Sequence, residues 1–410
     1  MTYATFRHSM CVTIAAVALS GTPSAAAEKP VNCAGGQSLA KALEHANPGD
    51  IFRLSGTCQE RVRVTTDRVT IDGQGLTVLD GGGGGPLEFS AVVMIDGAQG
   101  VVVKGLTVQN GPGEGILGIR GSAFTLSDVS VEHNASAGIA VADGSTATLI
   151  DCTTRQNRIG LDVFTTSAAV MKGTIRITDN TGNGADVSGR SILELRGAAV
   201  QVSENGGFGL TVGGSQLAIF GFTESQGSTL TATGNTLAGL VIATGSLEVL
   251  GSSFPGSGAS VITSSGNGSD GIFLPAGGTI VSPFGTAKFV IHGNAVGLNF
   301  GNDSNAVIVG GLDVRSNRTG LLADGAGALT LVSIEPNPSS ILGNGLDVAL
   351  LFGTRATFDG AAIFSIRCDS TVLARGSTVC PCSHGEVDRV LSSSAHPRFW
   401  STASERSPEI

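Results

Sequence analysis

Between Tyr3 and Trp400 the chain of 410 residues contains no tyrosine and no tryptophan. Neutral sugars are commonly gripped by such rings, whose apolar face and polar edge match a pyranose. That design is excluded for all but the extreme ends, which favours a charged polysaccharide or no sugar at all. Charge is scarce as well: 14% of residues are charged, with 24 Lys and Arg against 33 Asp and Glu and a formal net charge of −9. No basic stripe is present to neutralise phosphates, so nucleic acid is excluded as a partner. Apolar runs are short, and none beyond Leu19 is long enough to span a membrane. With 61 glycines and 13 prolines, the composition suits a turn-rich all-β body better than a helical one.

The ends follow a different logic from the middle. Arg7 and His8 precede an apolar run from Met10 to Leu19, and Ala25-Ala26-Ala27 offers a small-residue cleavage site. Residues 1–27 are therefore expected to be a signal peptide and the mature protein to be secreted or periplasmic. Export permits disulfides. Cys33 and Cys58 flank the first predicted helix, and Cys368, Cys380 and Cys382 cluster at the far end. The expectation is one bridge near each end, a buried thiol at Cys152 and one cysteine left over. The spacing Cys380-Pro-Cys382 is too short for a zinc site and has no second pair.

The middle is a repeat. Asn157-Arg158-Ile159-Gly160-Leu161-Asp162-Val163 has the skeleton Asn, two or three free residues, Gly, apolar, any, apolar. The skeleton returns at glycines 115, 138, 160, 184, 209, 239, 271, 297, 320 and 345, in steps of 22 to 32 residues. Such a period means stacked units. Within each unit apolar residues alternate with period two, as in Val129 and Val131 or Ile175 and Ile177, so the units are strands. Three short strands per turn, bent at Asp128, Asp151, Gly173 or Gly197, predict a parallel β-helix of about 10 to 13 coils. Its Asn side chains would hydrogen-bond along the axis. Residues 51–367 form this single elongated domain. Gln37 to Ala46 is expected to be a helix that covers the open N-terminal end within 28–50, and 368–410 a cysteine-containing cover and tail. Two stretched repeats place extra length in Gly213 to Thr229 and Gly245 to Ser260, either as binding loops or as tolerated insertions.

On these residues, together with the opening Ala46-Asn47-Pro48-Gly49-Asp50 and Gly56-Thr57-Cys58-Gln59-Glu60, the chain resembles the pectate lyase and polygalacturonase superfamily from about Gln37 to Ile366. The resemblance implies a right-handed coil. In the polygalacturonase branch it also implies acids and a His in three successive loops. Here those places hold Ile159, Gly182 with Asn183, and Phe208, so the two carboxyl groups that glycoside hydrolysis needs are missing.

The pectate lyase branch implies calcium on acidic residues of adjacent coils and an Arg base. Asp162 and Asp186 each lie two residues after an anchoring glycine, in one outward column. Coils ~4.8 Å apart would bring their carboxylates close enough to share a hard cation, and without one the pair would raise a pKa. The resemblance makes these two the calcium ligands and Arg158 the candidate base. Arg155, Arg190 and His133 become candidates for holding substrate, and calcium the one implied cofactor. Asp347, alone in the same column, is expected at the surface. Two readings follow: a lyase-like or binding protein for an acidic, uronate-type polysaccharide, or a non-catalytic surface or periplasmic scaffold or adhesion-type solenoid whose flank loops contact another protein or an envelope polymer. In either, the chain is expected to be a monomer.

Overall fold

The computed structural model describes residues 27–376 apart from 84–88, 222–226, 251–258, 284–286, 326, 335–337 and 370. The expected signal peptide up to residue 26, Cys380, Cys382 and the tail lie outside the described residues.

One coil shows the plan: Thr146–Ile150, a bend, Thr153–Arg155, a tight turn, then Ile159–Val163. The first two segments join a 23-stranded sheet and the third a 13-stranded sheet, so the solenoid makes about 13 turns. All pairing is parallel between coils, as in Leu149 opposite Met171 and Leu161 opposite Ala185. Leu126, Leu149, Met171, Leu195, Ile219 and Val249 stack in one inward column, each at most 1% exposed. Burial of each such side chain contributes about 1.5–3 kcal/mol. The bend between the first two strands has left-handed backbone at Asp128, Asp151, Gly173 and Gly197. Gly173 is doubly constrained, because a Cβ there would lie 2.4 Å from Asp151 Oδ1. That same oxygen accepts the Thr174 N–H at 2.7 Å. The extra length of the stretched repeats falls at this bend, between Gln216–Phe220 and Thr229–Thr233 and between Ser246–Leu250 and Ser260–Ser265.

The tight turn into the 13-stranded sheet carries the asparagines at 134, 157, 180, 205, 235, 267, 294, 317 and 344. From Asn134 to Asn317 the Asn backbone N–H and Nδ2 both donate to Oδ1 of the Asn one coil on, at 2.9–3.3 Å. Most also donate Nδ2 to a carbonyl of the preceding coil, as Asn205 does to Ile177 and Asn235 to Val202. Left-handed backbone falls to the residue before the Asn: His133, Gln156, Asp179, Glu204 and Ser316, or a glycine at 234, 266, 293 and 343. The anchoring glycines serve close approach. A Cβ on Gly160 would lie 2.5 Å from Ile177 Cγ2 and 2.6 Å from the Gly184 carbonyl oxygen.

Two expectations are corrected at the end of this ladder. The glycine column passes from Gly320 to Asp347 and not to Gly345, because Thr319 pairs with Leu346 and Leu321 with Val348. Asp347 is also not a surface residue, being 1% exposed. Its Oδ1 accepts both donors of Asn344 at 3.1 Å, and its Oδ2 accepts the N–H groups of Phe364 and Ser365. The last coil turns within two residues and brings no Asn, so a carboxylate takes over as the final acceptor.

Near the N-terminus the one α-helix among the described residues, α1, spans Leu39–Glu44 and is shorter than the expected Gln37 to Ala46. Its orphan donors are met by Ser38 Oγ on Lys41 N–H and by the Glu60 carboxylate on the N–H groups of Leu39 and Ala40. Leu39 and Leu43 are buried in the core. Cys33 and Cys58 are joined by a disulfide. Cys152 is an unbridged, buried thiol whose pKa burial pushes up to about 11.

Asn205→Ala would leave the two donors of Asn180 without their acceptor inside the wall of the coil. The expected cost is about 2–4 kcal/mol, seen as a lower urea midpoint. An unchanged midpoint would show that the ladder is incidental to stability.

Candidate functional site

The outward face of the 13-stranded sheet positions the sequence-derived acids. Alternation within Ile159–Val163 and Ala185–Ser188 sends Leu161, Val163, Ala185 and Val187 inward, fully buried, and leaves Asp162 and Asp186 outward. The two aspartates are register partners on adjacent coils. Their column continues through Ala140 and Leu117 on one side, and through Thr211 and Val241 on the other. The pair is thus a polar step in a mostly apolar column.

That surrounding decides the electrostatics. Ala137, Ala140 and Ile159 form a small apolar cluster separate from the core, with Leu117 and Phe164 packed on it. The cluster dries the neighbourhood of Asp162. Burial first, and then the charge of Asp186, push the Asp162 carboxyl up to about 6 from an ordinary 3.8; Glu114 adds a smaller push and the Arg158 charge pulls back. Asp186 is held differently. Its Oδ1 accepts from Asn183 Nδ2 at 2.8 Å and from the Thr211 hydroxyl.

The remaining candidates do not all converge here. Arg158 is exposed beside the pair and is the arginine whose charge is felt at Asp162. Arg155 lies in the other sheet, ion-paired to Glu132 at 2.5 Å. Arg190 is exposed on the turn that leaves the strand of Asp186, with left-handed backbone. His133 is exposed at the left-handed position of its turn. The roles of three contributors at the pair were missed in the sequence, although Asn183 was noted there for another reason. Asn183 and Thr211 were findable, one lying three residues before Asp186 and the other being the next member of its column. Glu114 carried no such signal, because it acts from two coils away. The places of the absent hydrolase acids are filled by structure: Ile159 packs in the outward cluster, and Asn183 Oδ1 accepts the Phe208 N–H at 2.9 Å.

As ligands for a hard cation, the pair supplies two carboxylates. Among the described residues the one grouping of three ligand-type side chains within 4.8 Å is Cys33, Cys58 and Glu60. It is fully engaged, by the disulfide and by the helix N-terminus. Calcium takes six to eight oxygens, more than two aspartates could supply.

A folded-state pKa above the ordinary one means that the folded chain holds the Asp162 proton more tightly. Its contribution to stability is present below pH 3.8 and is lost as pH rises through about 6. Asp162→Asn is expected to flatten the fall in unfolding midpoint across that window. Asp186→Asn should lower the Asp162 pKa without restoring the ordinary value, because burial remains. Side-chain carboxyl NMR titration checks both, and a wild-type Asp162 that titrates near 4 would refute the assignment.

Residues 64–237 match the family model for a right-handed β-helix region. No curated protein matches the chain. Among solved structures it is similar to the A-module of mannuronan C-5 epimerase AlgE6 from Azotobacter vinelandii, with 16% identity over 82% of this chain and 93% of that one and a TM-score of 0.46. It is also similar to pectate lyase Pel9A, with 13% identity over 88% and 82% and a TM-score of 0.35. The alginate lyase from Paenibacillus sp. str. FPU-7 is a third, with 10% identity over 82% and 99% and a TM-score of 0.35. The strand pairing and the family model together make the chain a parallel β-helix, right-handed over residues 64–237.

Proposed function

We propose that this chain binds an acidic, uronate-type polysaccharide on the outward face of the 13-stranded sheet, with calcium bridging Asp162 and Asp186 to carboxylates of the polymer. One observation carries the reading: two aspartates in register on adjacent coils, one of them raised to about 6 by burial and by its neighbour. Such a pair is relieved by a proton or by a cation, and a polyuronate brings the oxygen ligands that the pair lacks. Arg158, beside the pair, meets a substrate carboxylate. Arg190, on the turn from the Asp186 strand, offers a second grip. Arg155, engaged with Glu132, and His133 are the more remote contacts.

A lyase-like reaction on the same site would remove the proton alpha to a uronate carboxylate and break the bond to the leaving sugar oxygen, leaving an unsaturated end. Bound calcium would supply charge withdrawal at that carboxylate. Arg158 is the base in this version; recognition is the primary assignment and elimination the extension. Export by residues 1–27 would bring the protein to such polymers, and α1, with Leu39 and Leu43, serves as the cover of the first coil.

The test is mass spectrometry of products, together with calorimetric binding, on pectic, alginate and other uronic polymers with calcium and with chelator. Binding that requires calcium and is lost in the Asp162→Asn, Asp186→Asn double variant is the expected result, and unsaturated oligomers would add the lyase step. Calcium-independent binding, or full calcium binding by the double variant, would remove the site. Absence of binding to every polymer would turn the assignment to the scaffold reading.

A further inference from the structure

The outward column that carries Asp162 and Asp186 begins with a cation. Register pairing runs it from Arg63 through Met94, Leu117 and Ala140 to Asp162. No charged residue interrupts that run.

Around Arg63 three successive coils build an ion-paired trio. Asp96 lies on the coil after Arg63, and Arg120 follows Ile119, the register partner of Asp96, on the coil after that. The Asp96 side chain is 1% exposed and is gripped from both sides. Arg63 donates to its Oδ2 from Nε, at 2.7 Å, and from Nη2, while Arg120 donates from Nε to Oδ1 and from Nη2 to Oδ2. Neither Nη1 has a partner among the described residues. Two cations thus meet one buried anion, and arginine stays protonated, so the trio keeps an unbalanced positive charge. Asp143, on the turn one coil past Arg120, is exposed and forms no ion pair with it. The arginine side chains are 42% and 59% exposed, so their unused donors remain open to an anion. Asp96 holds both guanidiniums in place during folding, which removes side-chain freedom that an anion would otherwise have to remove on binding.

We propose that Arg63 and Arg120 form a second, metal-free anion site on this face, which takes a carboxylate of the same acidic polysaccharide at a distance from the calcium-bridged one. The proposal rests on the polysaccharide reading and adds to it the direction and least length of the ligand. Asp96 lies three coils before Asp162, ~14 Å along the axis at ~4.8 Å per coil. A polymer joining the two sites therefore runs along the solenoid axis over Leu117 and Ala140. One site meets carboxylates directly through guanidinium donors and the other through a cation, and a chain with a carboxylate on every sugar supplies both. Once either site is engaged, the other is filled at raised effective concentration.

Calorimetry with calcium, on uronic oligomers from pectin and alginate that are shorter and longer than this span, tests it. Wild-type affinity should rise several-fold once the oligomer exceeds ~14 Å. The triple variant Arg63→Gln, Asp96→Asn, Arg120→Gln should lose that rise and keep calcium-dependent binding of the short oligomers; Asp96→Asn spares it an unpaired buried carboxylate. Arg120→Gln alone, which leaves Arg63 on Asp96, should lose part of the rise. An equal rise with length in the wild type and both variants would overturn this proposal and leave the calcium site standing. Equal loss for short and long oligomers would make the trio a structural brace and overturn it as well. Binding of no oligomer by the wild type would remove the polysaccharide reading and this one with it.

Discussion

The asparagine ladder is the interaction on which the rest of the coil depends. A tight turn between two strands leaves backbone donors on the inside of a corner, where water does not reach. Each ladder Asn accepts at one oxygen the backbone and side-chain donors of the coil before it, then passes its own donors to the next. The same bonds fix the spacing and phase of successive coils, because a one-residue slip would break the ladder and turn every inward Leu and Val outward. Gly111 donates into the first member and Asp347 closes the last, so the chain of bonds ends on a carboxylate that accepts from four N–H groups.

This regularity is what turns a single outward substitution into chemistry. In a column whose neighbouring coils present Leu117, Ala140, Thr211 and Val241, two successive coils present Asp. The stacking that aligns side chains for packing then aligns two charges, and the outward apolar cluster at Ala137, Ala140 and Ile159 keeps water from one of them. Asp162 and Asp186 differ although their backbone settings match. The first borders the apolar cluster, and the second is satisfied by Asn183 and Thr211. Environment separates the two carboxyls; sequence position does not.

Local rules made most of the body readable. The apolar alternation named the strands, the Asn and Gly spacing named the turns, and the column containing Asp162 and Asp186 followed from counting residues after glycine. The tenth glycine misled the count. Gly345 lies two residues before the true column position, because the coil keeps the three-residue step from Asn seen in Asn317 to Gly320 and places Asp347 where glycine had stood. Periodicity has no means of announcing its own last unit. The helix was also overextended at both ends, since Ser38 stops it on one side and only three-residue contacts follow Glu44 on the other.

The sequence by itself determined the architecture: a strand-and-turn period repeated often enough that stacking is the one way to bury each unit's apolar face, with the two aspartates in one outward column. Only the tertiary structure decided what that column means. It set Arg158 beside the pair while drawing Arg155 to Glu132 in the other sheet, and it brought Glu114 to bear from two coils away. It also dried Asp162 with side chains from three coils. The physical reason is that strand alternation is a property of neighbours along the chain, whereas burial and charge depend on which coils lie above and below.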